Sequence, residues 1–180
     1  DYGLMHQEEK SLWFVNTVGR CQAMADQFTS DVWIYHARFR YMDKIKRRDD
    51  VLKGFKDVVC RCLGTQVLQV SLDISARIGI TEVCPPYDFI QRIGRVNRSV
   101  NHRAKGVAEV HVYMPEDGKP YDMSDNWATL FNSWKNEFFL PLTGRDVSQR
   151  DLDEAMQAYY LKHTQAKIYH RERGEAEMLD

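Results

Sequence analysis

The densest chemistry in the 180 residues is the octapeptide QRIGRVNR, residues 91–98, which sets Arg92, Arg95 and Arg98 at three-residue steps around Gly94. Side chains three apart share one side of a helical turn, so the spacing predicts an outward-facing row of guanidiniums. A guanidinium keeps its proton in a protein and offers a planar fork of donors, which suits a phosphoryl group that gathers charge during transfer. Gly94 would let a backbone or ligand approach closely. Taken alone, the same octapeptide also describes the start of an amphipathic helix with surface arginines.

Upstream, GTQVLQVSLDIS at residues 64–75 directly follows a predicted strand, with Thr65 and Gln66 at the strand's end and Asp73 after an apolar half-turn. Small polar groups at a strand's end can bond phosphate oxygens without reading sequence. A carboxylate beside arginines could fix their rotamers. Thr17, Gly19 and Arg20 stand where a helix begins, so unpaired N–H groups and the helix dipole would favour a phosphate there, although Thr17 also reads as an ordinary helix cap. His36 and Arg38 close another predicted strand. They open a basic segment, residues 38–56, in which eight Lys and Arg face three Asp. Such a run is also what a solvated helix face looks like.

The elements that must carry these residues follow from hydrophobic periodicity. Short β-rich runs predict strands at residues 11–16, 32–35, 58–63, 77–83 and 107–114. Helical spacing of Ala23, Met24 and Phe28, and again of Tyr41, Ile45, Val51, Leu52 and Phe55, predicts helices between them. Strands separated by helices imply crossovers and hence a parallel sheet. Past residue 114 the texture changes to a loop with Pro115, Asp117, Gly118 and Pro120. Trp127, Leu130, Phe131 and Trp134 then recur at helical spacing, as a packing face rather than a base-stacking platform. Residues 151–160 and the tail 162–177 read as polar helix. The expected division is a sheet domain over residues 1–114 and a loop with helical extension over 115–180.

Composition sets the bounds. A hydrophobic fraction of 43% and an aromatic fraction of 12% suffice for a folded core. The net charge of -1 excludes a uniformly basic chain, so any attraction to nucleic acid must be local. Cys21, Cys60, Cys62 and Cys84 form no CxxC pair and have no histidine at ligand spacing, so they read as buried thiols and no metal site is expected. Alternation puts Cys60 and Cys62 on one strand face. No apolar stretch reaches membrane-spanning length, and no charged-then-apolar leader opens the chain, so the expectation is no membrane and a reducing cytoplasm. Beginning at Asp1, the polypeptide reads as part of something longer.

Taken in order, FVNTVGRCQAMADQF, YHARFRYMDKIKR, TQV, SLDI, ITEVCPPYDFIQ and QRIGRVNR resemble the second RecA-like lobe of superfamily 2 nucleic-acid helicases, motifs IV to VI, over residues 12–114. Most specifically they resemble the CRISPR-associated helicase-nuclease of type I interference systems, which typically reads TQV, VSLDI, a proline loop and QR-x-GR-x-NR. Asn97 stands where DEAD-box RNA helicases usually have glycine. Gln69 and Ser75 depart from the pattern, which commonly has Glu and Asp there.

The resemblance implies an α/β fold, a RecA-like parallel β-sheet flanked by helices with a C-terminal helical extension. It implies that Arg95 and Arg98 are catalytic finger arginines reaching ATP, that Gln91 links that site to the nucleic acid, and that Asp73 lies near the ribose and the fingers. Thr17, Gly19, Arg20, His36, Arg38, Thr65 and Gln66 would touch single-stranded DNA. No GxxxxGK[ST] loop and no acidic magnesium box occur in the chain, so ATP with magnesium would be held mainly by a first RecA-like lobe, in the same longer chain or a separate subunit. Further implied partners are a CRISPR surveillance complex and a His-Asp nuclease domain. Two alternatives stay open: a lobe of an RNA or DNA-repair helicase, and a catalytically silent nucleic-acid- or protein-binding module.

Overall fold

Strand and helix alternate among the described residues as far as the fifth strand of the computed structural model, which describes residues 10–28, 32–56, 60–98 and 106–177, with side chains as far as Thr164. The elements are β1 (Ser11–Phe14), α1 (Val18–Ala25), β2 (Val32–Tyr35), α2 (Tyr41–Gly54), β3 (Arg61–Gly64), α3 (Gln66–Ser71), β4 (Ile78–Glu82), α4 (Pro86–Ile93) and β5 (Glu109–Tyr113). The strands form one sheet in the order β2-β3-β1-β4-β5, and every neighbouring pair is parallel. All five C-terminal strand ends therefore share an edge, where open parallel sheets place their ligands.

The parallel sheet and its five strands agree with the sequence reading, and β2 has the predicted bounds. The start of the third predicted strand, at residues 58 and 59, lies outside the described residues. Two helices were not anticipated. The expected half-turn after Thr65 is the short helix α3, and the expected proline loop is the opening of α4. Pro86 occupies the first helical position, where a missing N–H costs nothing, and Pro85 precedes it in extended backbone at φ -51° and ψ 142°.

Alternation along the central strands builds a core on both faces of the sheet. On one face Leu12, Phe14 and Cys62 pack with Tyr35, Val51, Leu68, Leu72 and Ile74. On the other, Val15 and Leu63 pack with Cys21 and the partly buried Trp13, Met24 and Phe28. Gly64 ends β3 where no side chain fits: a Cβ there would lie 2.6 Å from the Tyr35 carbonyl oxygen and 2.8 Å from the Leu68 Cβ. That close approach lets α3 start immediately at the sheet's edge.

The chain divides into two compact units, residues 1–131 and 132–180. In the first, Trp127 and Phe131 meet edge to face at 5.4 Å, and Phe131 is fully buried, as a packing face requires. Their helix, α5 (Trp127–Trp134), runs on into a wider π-helical turn, Lys135–Phe139. In the second unit, a capping box opens the long helix α6 (Gln149–Glu177). The Ser148 N–H donates to the Asp151 carboxylate at 2.8 Å and the Asp151 N–H to Ser148 Oγ at 3.2 Å. The Ser148 hydrogen bonds and the Arg145 guanidinium hold the Asp151 carboxyl down at about 2. No described helix is long and apolar enough to cross a membrane.

All four cysteines are free and buried, with Cys60 and Cys62 in the same cluster as read from the sequence. Burial pushes the Cys21 and Cys84 thiols up to about 12, and Cys62 well above its usual range. At pH 8 the folded chain should therefore resist a thiol reagent such as DTNB and react fully only in denaturant. Because the folded thiols hold their protons longer than the unfolded ones, their contribution to stability is intact below the usual pKa of 9.0 and is lost as pH rises towards 12. Urea midpoints measured from pH 8 upward should fall accordingly; rapid labelling of the native chain at several thiols would contradict the burial.

Candidate functional site

The three arginines do not form the predicted outward row, because the helix that would align them ends at Ile93. Arg92 lies on the inner face of α4 at 0% exposure, the largest fully buried side chain described. Each of its N–H groups meets an oxygen. Nε donates to Gln69 Oε1 at 3.2 Å, and Nη1 to Thr81 Oγ1 at 2.8 Å and the Glu82 carbonyl at 3.1 Å. Nη2 donates to Asn16 Oδ1 at 2.7 Å and Tyr121 Oη at 3.3 Å. Each acceptor is neutral, and among the described residues no carboxylate lies within ion-pair distance. Glu82, also buried, spends its charge on Arg20 instead, at 2.8 Å.

Arg95 and Arg98 leave the helix and are placed by backbone pairing. Val96 makes a parallel bridge with Ala76, just before β4. Asn97 donates its N–H to the Ala76 carbonyl at 2.7 Å, with φ at +54°, a left-handed conformation that Asn tolerates and most residues avoid. A position with that φ explains why Asn or Gly would stand there. The Arg98 N–H donates to Ser75 Oγ at 2.9 Å.

This pairing brings Arg98 to 3.2 Å and Arg95 to 4.0 Å from Asp73 Oδ1. Arg95 Nε also donates to the Gln69 carbonyl at 2.9 Å. Burial, with the charge of Arg98, lowers the pKa of Arg95 against the opposing pull of Asp73. Side-chain exposure is 17% for Arg95, 47% for Arg98 and 86% for Asp73. Two cations thus share the exposed Asp73 carboxylate near the start of β4. Such an arrangement can accept a terminal phosphate. Among the described residues no group of three or more His, Cys, Asp or Glu is placed to hold a metal ion. Gly94 is exposed with an ordinary helical φ of -59°, so openness towards solvent, not conformational need, is what it offers here.

The seven strand-contact candidates gather at the C-terminal edge of the sheet, after β1, β2 and β3. Thr17 caps α1, its Oγ1 accepting from the Arg20 N–H at 3.2 Å, which leaves the hydroxyl proton to donate elsewhere. Gly19 is exposed. The Arg20 guanidinium is held by Glu82 and Asp117, at 2.5 Å from the latter. Burial pulls against its charge, but the two carboxylates outweigh it and raise its pKa.

His36 is 4% exposed and stacks flat on Phe39 at 4.1 Å. Burial, helped by the charges of Arg38 and Arg47, lowers its pKa, so the ring is neutral. Arg38 is exposed beside it. Thr65 is buried, with its N–H directed to the Tyr35 carbonyl. Gln66 spends its amide N–H groups on the Asn16 carbonyl at 3.3 Å and Tyr121 Oη at 3.2 Å. Gln91 is exposed on α4.

Sequence reasoning missed Asn16, Glu82 and Tyr121. A Glu within the apolar run ITEV was a signal for the second; nothing in the Pro and Gly loop marked Tyr121.

Parallel strands flanked by helices, with arginines presented beside the sheet, define a RecA-like lobe of superfamily 2 helicase type. The family model for "CRISPR-associated nuclease/helicase Cas3, C-terminal" matches residues 7–101, and the chain belongs to that family. A putative CRISPR-associated nuclease/helicase Cas3 of Myxococcus xanthus is 38% identical over 151 residues, covering 81% of this chain and 19% of that protein. Among solved structures, T. fusca Cas3 with ADP superposes with a TM-score of 0.71 at 18% identity, over 97% of this chain and 23% of that one. A chain of a "CRISPR RNA-guided surveillance complex, pre-nicking" gives a TM-score of 0.66 at 18% identity, over 86% of this chain and 21% of its own length. The chain thus spans about a fifth of the curated relative it matches.

Removing the buried guanidinium should be severe. Arg92→Leu leaves Asn16 Oδ1, Gln69 Oε1 and Thr81 Oγ1 without a donor, at about 1–3 kcal/mol each, so a loss of at least about 3 kcal/mol is expected in urea unfolding. Arg92→Lys should recover only part of it, because an ammonium cannot reach acceptors spread around a fork. Parental stability in the lysine variant would refute the assignment.

Proposed function

We propose that this chain is the second lobe of an ATP-dependent single-stranded DNA translocase of type I CRISPR interference, supplying arginine fingers to a nucleotide held by a first lobe. One observation carries this reading: Arg95 and Arg98 converge on the exposed carboxylate of Asp73, which brings two guanidiniums side by side near the surface. Their positive excess matches the charge that accumulates on a phosphoryl group in transfer. Arg95 and Arg98 would hold the terminal phosphate, with Asp73 near the ribose and Gln91 on the side facing the DNA. Magnesium would be held by the first lobe.

The strand would run along the C-terminal edge of the sheet, past Thr17, Gly19, Arg20, His36, Arg38, Thr65 and Gln66. Arg38 and the basic face of α2 would supply phosphate contacts that ignore sequence. In this reading residues 1–114 form the lobe proper and 115–180 its helical extension. The first lobe, a His-Asp nuclease domain and a surveillance complex are its partners, and the cytoplasm is its place. The ADP and the surveillance complex described for the two structural relatives favour the same nucleotide and partner.

Gln69 and Ser75 favour the motor over a silent binding module. Although both depart from the family pattern, one accepts from Arg92 and the other from the Arg98 N–H, so the arginine site is kept rather than eroded.

On its own the chain should hydrolyse no measurable ATP, with or without DNA; robust stimulated turnover would overturn the division of labour. In a protein carrying both lobes, Arg95→Ala or Arg98→Ala should lower turnover about a thousandfold, the scale of a lost arginine finger. An unchanged rate would remove both from that role. Binding of an oligo-dT strand should weaken steeply with salt, and Arg38→Ala should reduce the slope.

A further inference from the structure

We infer that Tyr121, outside the residues matched by the family model, is a positioning residue that couples strand contact to the finger arginines; the inference rests on the function proposed above. The two candidate sites lie at different ends of the lobe. Strand-side residues follow the C-terminal ends of β1 to β3, whereas Arg95 and Arg98 lie near the start of β4. Something must carry a displacement between them.

A chain of hydrogen bonds spans that interval, and Tyr121 is its junction. Tyr121 Oη accepts from Gln66 Nε2 at 3.2 Å, on the strand side, and from Arg92 Nη2 at 3.3 Å. Its own proton goes to Asp88 Oδ2 at 2.6 Å, which turns the oxygen's lone pairs towards the two donors. From Arg92 the chain continues through Nε to Gln69 Oε1, and the carbonyl of the same Gln69 accepts from Arg95 Nε at 2.9 Å. A movement of Gln66 on binding a strand can therefore reach the finger arginine through directly hydrogen-bonded groups. Arg92 is fully buried, so it cannot exchange a lost partner for water. The phenol is half-buried, and that burial raises its pKa, so it stays protonated as the junction requires.

Tyr121→Phe keeps the ring against Phe131, 6.4 Å away, and deletes only the hydroxyl. In a protein carrying both lobes, with oligo-dT as the strand, the ratio of stimulated to basal ATP turnover should fall at least about fivefold, while the half-saturating strand concentration stays parental. A parental ratio overturns the inference. So does a drop in thermal midpoint with basal and stimulated turnover reduced in step, which would make Tyr121 purely structural.

Should Tyr121→Phe fail to fold, Asp88→Ala removes the acceptor that orients the hydroxyl and carries the same expectation. Arg95→Ala in parallel separates the two levels. Lost turnover there with a parental Tyr121→Phe ratio sinks the coupling alone, and full turnover there sinks the function beneath it.

Discussion

A guanidinium that cannot give up its proton lies at zero exposure in the middle of this lobe, and the neighbouring structure is arranged around that constraint. Burying an ion is costly unless every donor is satisfied. Arg92 meets the condition with oxygens from four places: the segment after β1, α3, the end of β4 and the loop after β5. None of these elements can shift relative to α4 without stranding a donor. The neutrality of the acceptors matters as much, since it leaves Glu82 to hold Arg20 and Asp88 to orient Tyr121. A glutamate at position 69 would pair with Arg92 directly. The glutamine bonds it without a counter-charge.

That constraint also separates what the sheet does at its two ends. The C-terminal edge collects turns and helix starts, which present backbone donors and small polar side chains. The bridge between Ala76 and Val96 instead fixes Arg95 and Arg98 beside the start of β4. Between the ends run α3 and α4, and α4, eight residues long, has an axial rise of roughly 12 Å. Gln69 bonds both arginine populations, Arg92 with its side chain and Arg95 with its carbonyl. The coupling argued for Tyr121 depends on α3 being short and rigid enough to keep those two contacts in register.

Much of this was legible in the sequence, and the failures have identifiable causes. Short β-rich apolar runs located the strands and period-3.6 patterns located α1 and α2, because burial imposes apolar side chains on a sheet covered on both faces and on the inner face of a helix. The cysteines and the apolar face of α5 were read correctly for the same reason. The helical row of arginines failed because three-residue spacing carries no information about where a helix stops. Gly94 ends α4 without needing a left-handed φ, whereas the residue that does adopt one is Asn97. Helices α3 and α4 were hidden by Gly64 and by the Pro85 and Pro86 pair, which read as breakers but here begin helices. Arg92 and Tyr121 could not have been paired from sequence at all, since their contact is set by tertiary packing across a loop.

Under the function proposed above, the contrast between the two kinds of arginine would let one act while the other only holds. Arg92 is bound by buried, neutral oxygens that would be left unsatisfied if it moved, so its position is stiff. Asp73, 86% exposed, holds Arg98 and Arg95 by pairs largely screened by water, worth at most about 1 kcal/mol. If a phosphate replaced Asp73, that carboxylate would return to solvent at little cost. The weak pair beside the rigid one is consistent with the proposed function: Asp73 would keep two like charges together until a stronger anion replaced it. Arg92 would keep the surface they stand on from giving way when it did.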